Sequence, residues 1–283
     1  MNPFKTNKFS EKETEDNIIS FIAGDFVDGN TEIDDKHLKE KLPILPLRNT
    51  IVFPGSTLPI SVGRKKSLEL VKSLGKRQRY IGLVCQKETN IENPEKDDLY
   101  KLGVIAEVIR VIELADNNFS IIVQAKKRFE WTEMIQNEPF MKATYKLRET
   151  VKASKDDKEF KAILDSIRES MLQMLQMLGE PPKELMQTIK SEAFSNMLIS
   201  YCGTNLPIES REKQELLNID NEKDLAYRLL ILLNRESQML EMKMNIQLKT
   251  REDLNQQQKE FFLQQQIKTI QEELGGSTQQ IEI

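Results

Sequence analysis

A Ser–His–Asp triad or a zinc centre needs a histidine held in an ordered cleft. This chain of 283 residues has a single histidine, His37, set in an acidic, polar stretch with little hydrophobic periodicity. Neither chemistry is expected. A phosphate-cradling loop needs G-x-x-x-x-G-K-[ST]; the nearest approach, Gly75-Lys76, has no upstream glycine and runs into Arg77. No G-x-S-x-G elbow and no H-E-x-x-H helix occurs. Composition allows a Ser–Lys pair, but no motif supports one. Cys85 and Cys202 stand 117 residues apart, one in an apolar strand-like run and one at a helix end. They read as buried free thiols of a reducing compartment. Carboxylate pairs along the helical segments read as solvated faces. Catalytic, cofactor-binding and metal-ligating residues are therefore expected to be absent from this chain.

Two apolar stretches then stand out. "LPILPLRNTIVFPGSTLPISV", Leu42 to Val62, packs four prolines, one glycine and many aliphatics into 21 residues. Within it Phe53, Pro54 and Leu58 stand out, with core or domain-packing roles as one reading of them. The second stretch lies near the other end. Phe261, Phe262 and Leu263 are consecutive, so at about 100° per residue they cover more than half of a helix circumference. Leu263, Ile267, Ile270 and Leu274 follow a 4-3-4 spacing, the start of a coiled-coil or docking seam. Upstream, Met239, Leu240, Met242, Met244, Ile246 and Leu248 place apolar groups on several faces. Leu240, Met244, Phe261, Phe262, Leu263, Ile267, Ile270 and Leu274 are accordingly assigned to self-association or docking. One partner helix cannot bury them all, which suggests a receiving surface on another chain or beyond Ile283.

Elements must hold these groups in place. Residues 1–40 carry ten acids against five lysines, more than the whole net charge of −4, and read as a disordered tail. The near-neutral remainder lacks the basic footprint of a dedicated nucleic-acid binder. Residues 41–152 read as β-rich. The prolines punctuate short extended pieces at a sheet margin, since proline cannot donate a ladder hydrogen bond. "RKKSLELVKSLGK" is a helix with Leu68, Val71 and Leu74 on its stripe; "RYIGLVCQK" is a buried strand. "LGVIAEVIRVIELADNNFSIIVQAKKRFEW" is a long hairpin turning at "ADNN", and "FMKATYKLRE" a further strand. Residues 153–219 read as a helical bundle interrupted at Gly179 and Pro181-Pro182 and again after Pro207. From Asp220, a plausible N-cap, no proline or glycine appears until Gly275. One α-helix over 220–276 would span about 80 Å. Residues 277–283 are a linker stub. No apolar run approaches the ~18 residues of a membrane span.

With these residues in view, the chain resembles the N-terminal region of Lon-type ATP-dependent proteases. "LPILPLRNTIVFPGSTLPISVGRKKSLELV" is similar to the family's opening signature, "LYKLGVIAEVIRVIE…NNFSIIVQAKKRFEW" to its central hairpin, and "KEFFLQQQIKTIQEELGG" to the segment before its ATPase domain. One departure is Ala125, where many members place a glycine after the hairpin's second strand. The resemblance implies an α+β chain: a PUA-like LON β-domain, an all-α bundle and a long helix leading to an absent ATPase domain. It implies a non-catalytic part of a Ser–Lys protease that needs ATP and magnesium elsewhere. This part would recognise unfolded or damaged proteins, with Phe53, Pro54 and Leu58 as the candidate contacts, and help organise a cytoplasmic homohexamer. The alternative is a stand-alone LON-domain adaptor or PUA-like RNA binder.

Overall fold

A computed structural model describes residues 31–33, 38–75, 79–114, 118–154, 156–178 and 183–276. His37, most of the acidic tail, the centre of the "ADNN" turn, the Gly179–Pro182 break and the 277–283 stub lie outside them. The chain divides into two units, Met1–Glu236 and Ser237–Ile283.

In the first unit, β1 (Lys41–Leu47), β2 (Thr57–Val62), β3 (Tyr80–Cys85), β4 (Leu102–Glu113), β5 (Phe119–Gln136) and β6 (Lys142–Arg148) form one sheet. Its order is β2-β5-β4-β3-β1-β6, and β6 also pairs with β5, so the sheet closes on itself. Closure depends on the 18-residue length of β5. Its first half pairs with β2 and its second half with β6, both antiparallel, while β4 runs along its other side. Closure gives β6 a partner on both sides, while β2, paired only with β5, stays an edge among the described strands. Only β1 and β3 are parallel, and the crossover between them carries α1 (Lys65–Ser73). The six residues of β3 are all buried, as its unbroken apolar run leads one to expect. Ala125 sits inside β5 opposite Ala106 rather than after the strand, at the point where the β4–β5 register shifts. Its N–H donates to the Ser56 carbonyl and its carbonyl accepts from the Gly55 N–H.

Five helical pieces follow: α2 (Lys158–Leu178), α3 (Lys183–Lys190), a 3₁₀ turn at Glu192–Phe194, α4 (Ser195–Asn205) and α5 (Ser210–Leu217). The stretch from Lys183 to Asn205, with no proline in it, is nevertheless broken at Ser191. Ser191 and Thr188 explain the break: the Ser191 N–H and hydroxyl both bond to the Thr188 carbonyl, tightening the turn. Asp157 caps α2 by accepting from the N–H groups of Glu159 and Phe160. The long helix α6 runs unbroken from Glu222 to Gly276. Its N-cap is Asn221, not Asp220: Asn221 Oδ1 accepts from the N–H groups of Lys223 and Asp224. The first unit holds two apolar clusters. The larger joins the barrel to the helices through Phe53, Ile81, Ile121, Ile167, Leu198 and Leu229 among others. The smaller gathers Leu42, Ile44, Ile105, Phe129 and Trp131.

Candidate functional site

The ribbon between β1 and β2 does not present Phe53 to solvent. Phe53 is 2 % exposed and belongs to the larger core. A Cβ added at Gly203 of α4 would come within 3.0–3.1 Å of its ring, so that glycine is what lets the helix approach. The turn beside it needs a glycine too, because Gly55 has φ +90°. Polar groups fasten the same contact. The Phe53 N–H donates to Thr204 Oγ1 at 3.2 Å, Ser56 and Thr204 hydroxyls lie 3.0 Å apart, and Ser200 Oγ donates to the Pro54 carbonyl. Pro54 and Leu58 are half-buried. Phe53 is therefore a packing residue joining barrel to helices, a correction to its assignment as a substrate contact. The proline-interrupted ribbon has to leave the sheet to reach α4, which is why it cannot continue as strand.

A second joint lies where α6 begins. Arg128, on β5 and 4 % exposed, donates to the carbonyls of Leu217, Ile219 and Glu149 and pairs with Asp220 at 3.0 Å. Arg148 on β6 grips both oxygens of Asp220, at 2.7 and 2.9 Å. The hydrogen bond from Arg148, aided by the charges of both arginines, holds the Asp220 carboxyl below the ordinary carboxylate range. Burial pulls Arg128 down from its usual value while Asp220 pushes it back up. Val151 and Asn221 form a parallel bridge in the same place, and Lys223 reaches back to Asp157 and Glu159. Asp220 thus serves as the acceptor that ties the start of α6 to the barrel.

Beside the second joint a cleft of about 340 Å³ opens, lined by the barrel and, through Gln214 and Asn218, by the helical segment. Its floor includes Leu99, Leu102 and Trp131, and its rim carries Lys87, Lys96 and Lys101. Trp131 is the only tryptophan of the chain and is 4 % exposed. Its indole N–H donates to the Tyr100 carbonyl at 2.8 Å, and Lys101 Nζ sits 3.4 Å above its ring. Sequence reasoning finds the hairpin but misses this cleft. The register that pairs Leu102 with Glu130 is what sets Lys101 beside Trp131, and the sole tryptophan of the chain was the available signal.

The second unit is the remaining course of α6. Phe261 and Phe262 are 64 % and 61 % exposed, and Leu263, Ile267 and Ile270 are exposed as well. Leu240 and Met244 are half-buried; the side chain of Leu274 lies outside the described residues. Met239, Met242 and Ile246 add further exposed apolar groups. Among the described residues no cluster of His, Cys, Asp or Glu could hold a metal ion. Cys85 and Cys202 are unbonded and buried, and burial pushes the Cys202 thiol up to about 12.

A small closed barrel locked to a helical bundle, with an aromatic-floored cleft in its surface, is the architecture of the first unit. Residues 41–235 match the family model described as the ATP-dependent protease La (LON) substrate-binding domain, and the chain belongs to that family. It is 46 % identical over 262 residues to the Lon protease of Parabacteroides distasonis, covering 93 % of this chain and 31 % of that protein. Against the Lon protease of Porphyromonas gingivalis the identity is 44 %, covering 90 % of this chain and 30 % of the relative. The chain therefore spans a little under a third of the relatives it matches. The N-terminal domain of a Mycobacterium avium complex Lon protease has the same fold, with a TM-score of 0.51 at 20 % identity, covering 69 % of this chain and 96 % of that one. The α+β architecture implied by the sequence resemblance is the one observed. No helix among the described residues is long and apolar enough to cross a membrane.

Proposed function

We propose that this chain is the substrate-receiving and assembly region of an ATP-dependent Ser–Lys protease that degrades unfolded or damaged proteins as a cytoplasmic homohexamer. The observation that carries the reading is the match of residues 41–235 to a substrate-binding domain. The barrel and bundle supply a rigid frame, and rigidity matters because a floppy segment loses conformational freedom on binding, so its receptor should lose little. The far part of α6 supplies the apolar surface for assembly, through Phe261, Phe262, Leu263, Ile267 and Ile270. ATP and magnesium belong to a part of the protein outside this chain, whose sequence has no phosphate-cradling loop. The cytoplasmic setting draws support from two buried, unbonded thiols.

The test is capture of a permanently unfolded, labelled protein by the full chain, followed by fluorescence anisotropy. Saturable binding of the unfolded protein, with none of its folded counterpart, is the expected result. Equal indifference to both would remove the receptor role. An RNA-binding module would instead show affinity for RNA that falls steeply with salt.

A further inference from the structure

We infer that the cleft over Trp131 is a subsite for a single carboxylate side chain next to an apolar one in an extended protein segment. This rests on the receptor reading above and narrows it to a chemistry.

The cleft is built before anything binds. Its wall is fixed by backbone bonds: Lys87 N–H to the Asp98 carbonyl, Tyr100 N–H to the Cys85 carbonyl and Trp131 N–H to the Lys101 carbonyl. Glu95 and Asp98 cap the short turn between them reciprocally. The Trp131 ring is locked by its own N–H bond and lies under the Lys101 ammonium. Gln214, also 4 % exposed, closes the back and donates to the Leu102 carbonyl. Such a site asks little reorganisation of the receptor.

The charges decide what fits. Lys87, Lys96 and Lys101 are exposed, and among the described residues none has a carboxylate partner. Lys87 Nζ spends one bond on the Asp97 carbonyl. Asp97, Glu130 and Arg148 lie on the same lining; the three lysines exceed the two carboxylates by one, and Arg148 shares Asp220 with Arg128, so the lining is net positive. An anion suits that balance, and the repulsion from Asp97 and Glu130 is about twice as large for a phosphate dianion as for a carboxylate. Phosphate recognition also favours a free guanidinium fork. The only arginine here, Arg148, already has its fork on Asp220 and the Asn218 carbonyl. The floor of Leu99, Leu102 and Trp131 then needs an apolar neighbour to cover it.

The sole tryptophan makes the test direct. The full chain is titrated with an acetylated, amidated hexapeptide of alternating Phe and Asp, and with the same peptide carrying Asn for Asp. Trp131 emission and the anisotropy of labelled peptide are read together, because Lys101→Met alters the indole's surroundings. The acidic peptide should bind saturably, lose roughly threefold per lysine in Lys96→Met and Lys101→Met, the size of an exposed ion pair, and fall to the level of the Asn peptide in the triple variant with Lys87→Met. Equal affinity for the two peptides overturns the proposal, as does tighter binding of inorganic phosphate or a uridylate oligomer. If the triple variant still captures unfolded protein as well as the parent while the peptides do not differ, the subsite fails and the receptor reading stands. If unfolded protein is not captured at all, it is the receptor reading that fails.

Discussion

Phe53 and Asp220 each show a side chain doing work its sequence position disguises. Phe53 lies in a proline-rich ribbon that looks peripheral, yet its ring fills the space left by Gly203. Phe53→Ala should cost about 3–5 kcal/mol, the usual range for emptying a buried phenylalanine site, and lower the melting temperature by many degrees. A melting temperature within a degree or two of the parent's would mean the ring is not core. Asp220 carries a pH prediction. Its folded-state pKa is depressed by the Arg148 hydrogen bond and the neighbouring arginine charges. The stability it contributes is present above the unfolded carboxyl value, about 3.9, and is lost as pH falls through the lower folded value. Asp220→Asn should therefore be less stable than the parent at pH 7, where it leaves Arg128 buried beside a neutral amide. The gap should narrow as pH drops below about 4. Urea midpoints measured from pH 7 to pH 2.5 check this, and parallel curves for the two proteins would contradict it. The Cys202 thiol, pushed up to about 12 by burial, should resist alkylation at pH 8 until the chain is unfolded.

At the scale of elements, α6 changes character along its length. Between Ala226 and Leu233 it contributes Ala226, Leu229, Leu232 and Leu233 to the core, with rows of apolar residues at helical spacing. From Ser237 on, most of its described apolar residues, Leu240 and Met244 apart, are exposed on several faces. Fully burying one such side chain is worth roughly 1.5–3 kcal/mol, enough for a few of them to drive association. Phe261→Asp combined with Ile267→Asp should abolish concentration-dependent self-association or docking and leave the barrel folded. Light scattering across concentration, with Trp131 emission as the check on the barrel, measures both. Identical scattering mass for the two proteins would count against the assembly role. Asn221 rather than Asp220 caps this helix because the bidentate pull of Arg148 takes the Asp220 carboxylate toward the barrel, leaving the next side chain to meet the free N–H groups.

For the whole molecule, the core of the first unit gathers residues from the barrel, from α2 to α5 and from the start of α6 up to Leu233. A chain ending at Glu236 should therefore melt cooperatively, at close to the temperature of the full chain and with the same Trp131 emission. Loss of cooperative melting would place stabilising contacts in residues 237–276.

The sequence by itself determined the element types. Period-2 alternation and an unbroken apolar run made β3, β4 and β5 legible, and 54 residues free of proline and glycine after Asp220 announced α6; the prolines misled, because Pro43 and Pro46 lie inside β1, which is paired on both sides, and Pro59 inside β2. Those signals are local, because backbone sterics and residue spacing act over a few residues at a time. Only the tertiary structure decided that β5 is shared by β2 and β6 to close the barrel, that Phe53 turns inward onto Gly203, and that Asp220 answers two arginines. It alone set Lys101 over Trp131. Each of these joins residues far apart in the chain, and the burial of a side chain depends on what packs against it, which no stretch of its own neighbours specifies.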